Sequence, residues 1–381
     1  MRIAIVINTS WNIYNFRMGL IRSFLADNHE VYAVAPCDGY ETRLTELGCR
    51  HRPVSLDNKG SNPLNDLRYT WELYKTYRRI RPDVVLHFTI KPNLYGTLAA
   101  KLLGIPIINN VSGLGTVFLR ENRSSQVARF LYRQLFRFPN RVFFQNRDDL
   151  GYFIQNGLVN ASVTDVLPGS GVNVSYFKPE PFRRNEPFAF LLAARLIQDK
   201  GIHEYAEAAR LVKAQFPNVR FRMVGFKDDS PFGISEADLR RWTDDQLIEY
   251  EGSTDDIRTA LIGADCVVLP SYREGTPRSL LEAAAMGKPL IATNVPGCIE
   301  VVDCEVNGYL CEARNAQDLA RQMIRMLALD DTHLAAMGRA TRHKVESKFD
   351  EILVISKYRD TIAQVLRRDV TRPAQAPVPA E

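Results

Sequence analysis

The sequence predicts an α/β protein built from two Rossmann-like domains in tandem. Three observations predict it. Strand-like apolar runs alternate with helical patterns, the alternation breaks near the middle of the chain, and it then starts again. In the first half the strand candidates are RIAIVIN, EVYAVAP, VVLHFT, PIINNV, RVFFQN and VTDVLPG. Several are continuous apolar runs, the pattern of parallel strands covered on both faces. Helical patterns lie between them, as over 64–80 and 94–103. Residues 168–187 (PGSGVNVSYFKPEPFRRNEP) are rich in Pro, Gly and charge, and mark a linker. Beyond it come FAFLLAARL, VRFRMVG, LIEYEG, CVVLPS, PLIATN and GYLCEA. The expected division is 1–170, then 171–349, with a helix over 350–368 and a disordered Pro/Ala-rich tail over 369–381. In that helix Ile352, Ile355, Ile362 and Val365 recur at helical spacing and define its packed face.

Composition narrows the class. The 381 residues are 45% apolar and 24% charged, ordinary for a globular protein. The six cysteines contain no C-x-x-C pair and read as free thiols, which fits a reducing cytoplasm. The histidines are scattered, so no metal site is expected. The chain opens on a strand rather than a signal peptide, and no apolar run is long enough to span a membrane. The net charge of +5 is unevenly placed: residues 1–171 hold 21 Lys+Arg against 13 Asp+Glu. A basic first half points to an anionic partner. Nucleic acid is set aside, because no readout motif is present.

The stretch Ser271-Tyr-Arg-Glu274-Gly275-Thr276-Pro277-Arg278-Ser-Leu-Leu-Glu282 follows the buried run CVVLP. In doubly wound folds ligands bind beyond the carboxyl ends of strands, so Glu274 falls at an expected site. Gly275 permits a close backbone approach, Pro277 suits the first turn of a helix, and that helix start attracts phosphate or sugar oxygens. Glu282 sits about one turn into the helix. On spacing alone, a helix-capping Glu274 and a solvated Glu282 remain open. Arg195 and Lys200 follow the run FAFLLAA, and two cations at a strand end can face one diphosphate, whose negative charge grows as a glycosidic bond breaks. Two solvated surface cations are the alternative.

Arg195…Lys200-Gly201, Gly225 after VRFRMV, and Glu274-x7-Glu282 resemble the family-four retaining glycosyltransferases of GT-B fold, in which two Rossmann-like domains face each other across a cleft. The likeness covers essentially the whole chain. It implies that Arg195 and Lys200 bind the donor diphosphate, that Glu274 contacts the donor sugar, and that Glu282 contacts the nucleotide ribose. Gly225, Gly275, Thr276 and Arg278 join the donor site by the same likeness. The final helix is expected to cross back onto the N-terminal domain. No cofactor is implied beyond a UDP-sugar as substrate. No D-x-D triplet occurs, so catalysis is expected without a metal, with Arg195 and Lys200 supplying the positive charge. Retention is expected by a front-face, ion-pair-like path.

In the first half, Ser10-Trp-Asn-Ile-Tyr14-Asn-Phe16-Arg17, His87-Phe-Thr-Ile-Lys91-Pro-Asn and Ser112-Gly113-Leu-Gly115 look like the bacterial enzymes that extend undecaprenyl-diphosphate-linked sugars, among them N-acetylgalactosaminyltransferases. The resemblance assigns Ser10, Tyr14, Phe16, Arg17, Lys91, Gly113 and Gly115 to a lipid-linked saccharide acceptor. His87, at a strand end, either faces the reacting sugar or makes local bonds only. The stretch Arg120 to Arg141 repeats arginines every four residues between aromatics. It reads as a helix on an anionic membrane surface, on the inner face of the plasma membrane, or as a core-packed helix with a solvated edge. Two other classes share this architecture: a sugar-nucleotide 2-epimerase and a silent sugar-nucleotide binder. The combination of Arg195, Lys200, Glu274 and Glu282 favours the transferase.

Overall fold

The computed structural model describes residues 1–57, 62–114 and 123–370. The chain divides into two compact units. The first is Met1–Leu167 with the chain from Val354 onward, and the second is Pro168–Leu353. Each is a parallel sheet with helices on both faces, the expected fold class.

In the first unit the order is β1 (Arg2–Val6), α1 (Ser10–Ala26), β2 (Glu30–Ala35), α2 (Glu41–Glu46), β3 (Arg50–Pro53), α3 (Pro63–Ile80), β4 (Val84–Phe88), α4 (Thr97–Leu102), β5 (Ile107–Val111), α5 (Arg123–Leu135), β6 (Arg141–Phe144), α6 (Arg147–Gln155) and β7 (Thr164–Val166). One π-helical turn, Pro92–Gly96, leads into α4. The described strands pair in the order β3-β2-β1-β4-β5-β6-β7, all parallel. Of these, β3 escaped the sequence reading. Its residues, RHRP, carry no apolar alternation, and it lies at a sheet edge where charge is tolerated.

The second unit contains β8 (Ala189–Ala193), α7 (Ile202–Lys213), β9 (Arg220–Val224), α8 (Glu236–Asp244), β10 (Glu249–Tyr250), α9 (Arg258–Ile262), β11 (Cys266–Leu269), α10 (Arg278–Ala285), β12 (Leu290–Thr293), α11 (Cys298–Val301), β13 (Gly308–Cys311), α12 (Ala316–Leu327) and α13 (Asp331–Lys348). Its described strands pair in the order β10-β9-β8-β11-β12-β13, again parallel. In each sheet the strand order reverses once, between β1 and β4 and between β8 and β11. These reversals leave the crevices where doubly wound folds take ligands.

Local signals set the helix starts. Thr9 caps α1 by accepting from the Asn12 amide, and Asn62 caps α3 ahead of Pro63. The buried face of α3 runs Asp66, Tyr69, Thr70, Leu73, Tyr77 and Ile80, a helical period with one acid inside it.

The last helix, α14 (Glu351–Val370), packs Val354, Tyr358, Ile362 and Val365 against Ile3, Ile5, Phe88 and Phe143 of the first sheet. The anchor is Tyr358. Its ring centroid lies 5.2 Å from that of Phe143, and its hydroxyl accepts from Asn110 Nδ2 at 2.9 Å. This corrects the packed face read from the sequence. Ile352 is 65% exposed, and Val354 and Tyr358 take the buried positions instead. The tail beyond 370 lies outside the described residues.

The first core also encloses a polar cluster at the β4 and β5 ends. His87 is fully buried. Tyr77 Oη donates to His87 Nε2 at 2.9 Å, and His87 Nδ1 lies 2.9 Å from Asn109 Oδ1. Asn109 Nδ2 donates to Thr97 Oγ1 and to the Asn93 carbonyl, which fixes the amide orientation. His87 is therefore the neutral tautomer with its proton on Nδ1. Burial lowers its pKa to about 4.

Two outcomes test this packing. Tyr358→Ala should cost the first unit about 3–4 kcal/mol, read as a lower urea midpoint for that unit. The second concerns pH. An unfolded histidine takes up a proton near 6.5, while buried His87 does so only near 4. The neutral form's advantage is therefore complete above pH 6.5 and is lost as pH falls toward 4, by about 3 kcal/mol. His87→Gln should flatten the stability profile in that window; an unchanged slope would place the titration elsewhere.

Candidate active site

The donor-side candidates gather at the β8/β11 reversal. The chain leaves β8 through Arg195 and makes a single 3-10 turn, Gln198–Lys200. Gly201 then turns it into α7 with φ 70°. A side chain is sterically barred there: a Cβ would lie 2.1 Å from the Pro270 carbonyl oxygen. This close approach sets Lys200 beside the loop that follows β11. Lys200 Nζ donates to Glu274 Oε1. Ser271 Oγ lies 2.6 Å from the same Glu274 oxygen and 3.1 Å from the Asp199 carbonyl. The Tyr272 amide donates to the Asp199 carbonyl at 2.9 Å. Thr293 Oγ1, at the end of β12, donates to the Ser271 carbonyl. Glu274 is thus held from three strand ends.

Gly297 completes the cradle. Its φ is 83°, and a Cβ there would lie 2.4 Å from the Gly275 carbonyl and 2.7 Å from that of Glu274. Sequence reading missed Gly297, Ser271 and Thr293. The VPG triplet after the run PLIATN was the available signal. Gly225 ends β9 in the same manner, with Ala194 carbonyl pressed against it.

Arg195 and Lys200 do not share one partner. Arg195 is 52% exposed at the side chain, and its Nη1 lies 3.5 Å from Asp228 Oδ2. The 3-10 turn between them rotates the two cations onto different carboxylates. Asp228, on the loop after β9, gave no motif in the sequence. Pro277 is also shifted from the expected place. It is the N-cap residue of α10, just outside the first turn, and its carbonyl accepts from the Leu280 and Leu281 amides.

Glu282 pairs with Arg278 one turn earlier, Oε1 to Nε at 2.8 Å, and both side chains are mostly buried. Arg278 Nη1 also donates to the Gly171 carbonyl at 2.5 Å. Burial raises the Glu282 carboxyl above its ordinary range, and the Arg278 charge opposes that shift. Glu282 is therefore a buried, ion-paired group rather than a solvated face. Thr276 is buried against Gly169.

The acceptor-side candidates gather at the β1/β4 reversal, with corrections. Ser10 is fully buried; its hydroxyl donates to the Pro36 carbonyl at 2.8 Å and receives His51 Nε2 at 3.0 Å. It braces the loop after β1 from inside. Tyr14 faces Tyr40 at 5.6 Å, with the Arg43 guanidinium over both rings. Phe16 meets Trp11 edge-on at 5.3 Å. Arg17 is buried with its guanidinium 4.3 Å over the Phe88 ring. Lys91 Nζ donates to Asp66 Oδ1 at 2.7 Å, and Tyr95 donates to Asp66 Oδ2 at 2.7 Å. Sequence reading missed Asp66; the available signal was an acid at helical spacing with Tyr69, Leu73 and Tyr77. Gly113 follows β5 with φ 126°. Gly115 and residues 120–122 lie outside the described residues.

His87 does not present a free ring nitrogen, since both are engaged inside the core. Its role in this structure is to set the π-turn and α4 behind Lys91. Between them, Thr89 holds φ 66°, a strained value for a β-branched residue at a strand end. Tyr132 of α5 and Phe136 just beyond its end are buried against Phe153, so this helix is core-packed on that side.

Comparison with known proteins bears on the fold and the family. Residues 15–169 match the family Glycosyl transferase 4-like domain, and residues 176–344 match Glycosyl transferases group 1. The chain is 28% identical over 385 residues to the N,N'-diacetylbacillosaminyl-diphospho-undecaprenol alpha-1,3-N-acetylgalactosaminyltransferase of Campylobacter jejuni, covering 96% of this chain and all of that one. It is 26% identical over 318 residues to the UDP-Gal:alpha-D-GlcNAc-diphosphoundecaprenol alpha-1,3-galactosyltransferase of Escherichia coli, covering 78% and 79%. Anabaena Alr3699/HepE, solved in complex with UDP, shares the fold with a TM-score of 0.77 at 19% identity, over 96% of this chain and 100% of that one. With a 4-like N-terminal domain, a group 1 C-terminal domain and a Glu274 cradle at the β8/β11 reversal, the chain belongs to the GT-B glycosyltransferases.

Proposed function

We propose that the protein transfers a hexose or an N-acetylhexosamine, with N-acetylgalactosamine the favoured sugar, from a UDP-sugar to a polyprenyl-diphosphate-linked saccharide, with retention of configuration. The observation that carries this reading is the Lys200–Glu274 pair at the β8/β11 reversal, braced by Ser271. Both named relatives extend undecaprenyl-diphosphate-linked sugars, and one has a UDP-sugar in its name. Their descriptions support the substrate classes.

The donor diphosphate meets Lys200 and Arg195, whose charges stabilise the leaving group as its negative charge grows. No metal is required for that task. Glu274 holds the donor sugar's hydroxyls, and Lys200 fixes its carboxylate in place. Glu282 accepts from the ribose hydroxyls while Arg278 holds it. The acceptor hydroxyl attacks from the face the leaving group departs, and the leaving phosphate takes its proton. Tyr14, Phe16 and Gly113 contact the acceptor saccharide, and Lys91 meets the acceptor diphosphate. Ser10, Arg17 and His87 support that side from within the core. The exposed Val127 and Phe130 of α5, with Arg129, Arg133 and Arg137 nearby in sequence, support contact with the anionic inner leaflet.

A screen of UDP- and GDP-sugars with lipid-linked acceptors tests the reading, with the product anomer read by NMR. An α-linked product from an α-linked UDP-sugar is expected. An acceptor-free epimer would assign the protein to the 2-epimerases instead. Glu274→Ala should lower kcat/KM by roughly a hundred- to a thousandfold with folding intact. Unchanged transfer would remove Glu274 from the site. The carboxylate form of Glu282 is the one that accepts ribose hydroxyls. Because burial raises its pKa, kcat/KM for the donor should fall on acidification earlier than an ordinary carboxylate dictates. Glu282→Gln should remove that acid limb; a limb that persists would belong to another group.

A further inference from the structure

The outward face of α3 carries an arrangement that sugar transfer does not use. Leu64, Leu67 and Trp71 are 75%, 67% and 54% exposed. Their spacing puts them on one stripe of the helix. Lys75 and Arg78 extend the same stripe, with Arg68 and Arg79 beside it, and all four are exposed. Tyr74 stacks flat on Trp71 with ring centroids 5.2 Å apart, and the Lys75 ammonium lies 5.3 Å from the Trp71 ring. The two acids of α3 are both engaged. Glu72 pairs with Arg68 at 3.2 Å, and buried Asp66 receives Lys91 and Tyr95.

We propose that this face seats α3 in the interfacial region of an anionic lipid bilayer, the leaflet that would hold the lipid-linked acceptor. The proposal rests on the acceptor reading above for its purpose. Its physical basis is separate. Apolar anchors led by a Trp, continued by cations along the same stripe, match a surface that is apolar below and anionic above. A protein interface core is depleted in charged residues, lysine above all, whereas here Lys75 adjoins Trp71 and Arg78 continues the stripe. The covering helices agree in direction. Ile107 and Val111 lie on the same side of β5; Ile107 packs with the α3 and α4 layer, and Val111 packs with α5. That layer also exposes Leu102 and Phe130. The opposite, inward face of α3 holds Lys91 through Asp66. One helix therefore joins a lipid-facing stripe to the lysine assigned to the acceptor diphosphate, and fixes that lysine's depth relative to the bilayer.

Vesicle sedimentation of the full chain tests this. The wild type should bind phosphatidylglycerol/phosphatidylethanolamine vesicles and not pure phosphatidylcholine. Leu64→Gln/Leu67→Gln/Trp71→Gln and, separately, Lys75→Glu/Arg78→Glu should each lower partitioning at least tenfold. Transfer to a water-soluble, short-prenyl acceptor should stay within twofold, which also reports that both variants fold. Transfer to the long-chain acceptor in vesicles should fall in parallel. Wild-type vesicle binding by the triple variant overturns the proposal, as does a wild-type dimer that the triple variant dissolves, which would give the face to a second copy of the chain. Intact, α3-dependent vesicle binding with no transfer to any lipid-linked acceptor would instead remove the acceptor reading and leave the membrane surface standing.

Discussion

The donor-side structure depends on one constraint: Glu274 is a mostly buried carboxylate and must have a counter-charge at hand. A buried carboxylate without one costs several kcal/mol. Lys200 supplies the charge and Ser271 a further contact. Both can reach Glu274 only because backbone segments approach unusually closely. Gly201 lets the Lys200 turn lie on the Pro270 carbonyl, and Gly297 lets the next loop lie on the carbonyls of Glu274 and Gly275. The strand reversal brings β8 and β11 together, the glycines remove the steric barrier, and the ion pair follows. A carboxylate fixed in this way is preorganised for the donor-sugar hydroxyls proposed as its partners, since its orientation need not change to accept from them.

The first unit solves a similar problem with neutral groups. Its β4 and β5 ends carry His87, Asn109 and Asn110 into the core, and each finds defined partners in Tyr77, Thr97, Asn93 and Tyr358. A buried network bonded in this way is rigid, because a rearrangement of His87, Asn109 or Asn110 breaks their bonds in a poor solvent. It holds the Thr89 strain and the π-turn that precede and follow Lys91. The last helix belongs to the same network through Tyr358, which explains why its packed face runs through Val354 and Tyr358 rather than Ile352.

Much of this was legible in the sequence, because parallel strands buried on both faces are continuous apolar runs. In the second unit β8, β11 and β12 stood out that way, while β9 and β10 were read from the recurring βαβ alternation despite the charges in RFRMV and EY. The edge strand β3 did not, since an edge strand needs no apolar face and RHRP has none. At the site, Glu274, Lys200 and Glu282 were readable as polar residues placed just after strands or at a helix start. What was hidden was pairing. Arg195 turns to Asp228, and Lys91 to Asp66, because a three-residue turn or a helix face decides direction and spacing alone does not. His87 shows the same limit: a strand-end histidine in the sequence is equally a ligand-facing base or a core residue, and only its partners decide.

Charge shows how local the recognition must be. Counted by unit, residues 1–167 and 354–381 hold 26 Lys+Arg against 16 Asp+Glu, while residues 168–353 hold 23 against 28. The unit assigned to an anionic nucleotide sugar is thus itself net negative. Its general field does not favour a diphosphate, so the donor contact proposed for Lys200, Arg195 and the amides at the start of α10 would act at contact distance, where screening is weak. The net positive unit is the one that carries the α3 stripe, and there a broad field is useful. An anionic bilayer is a surface of diffuse charge, read by many cations at once rather than by a fixed pair. On the proposed reading, the two units divide two kinds of electrostatics, point recognition in one and surface attraction in the other. A lipid-linked acceptor and a soluble charged donor call for that division.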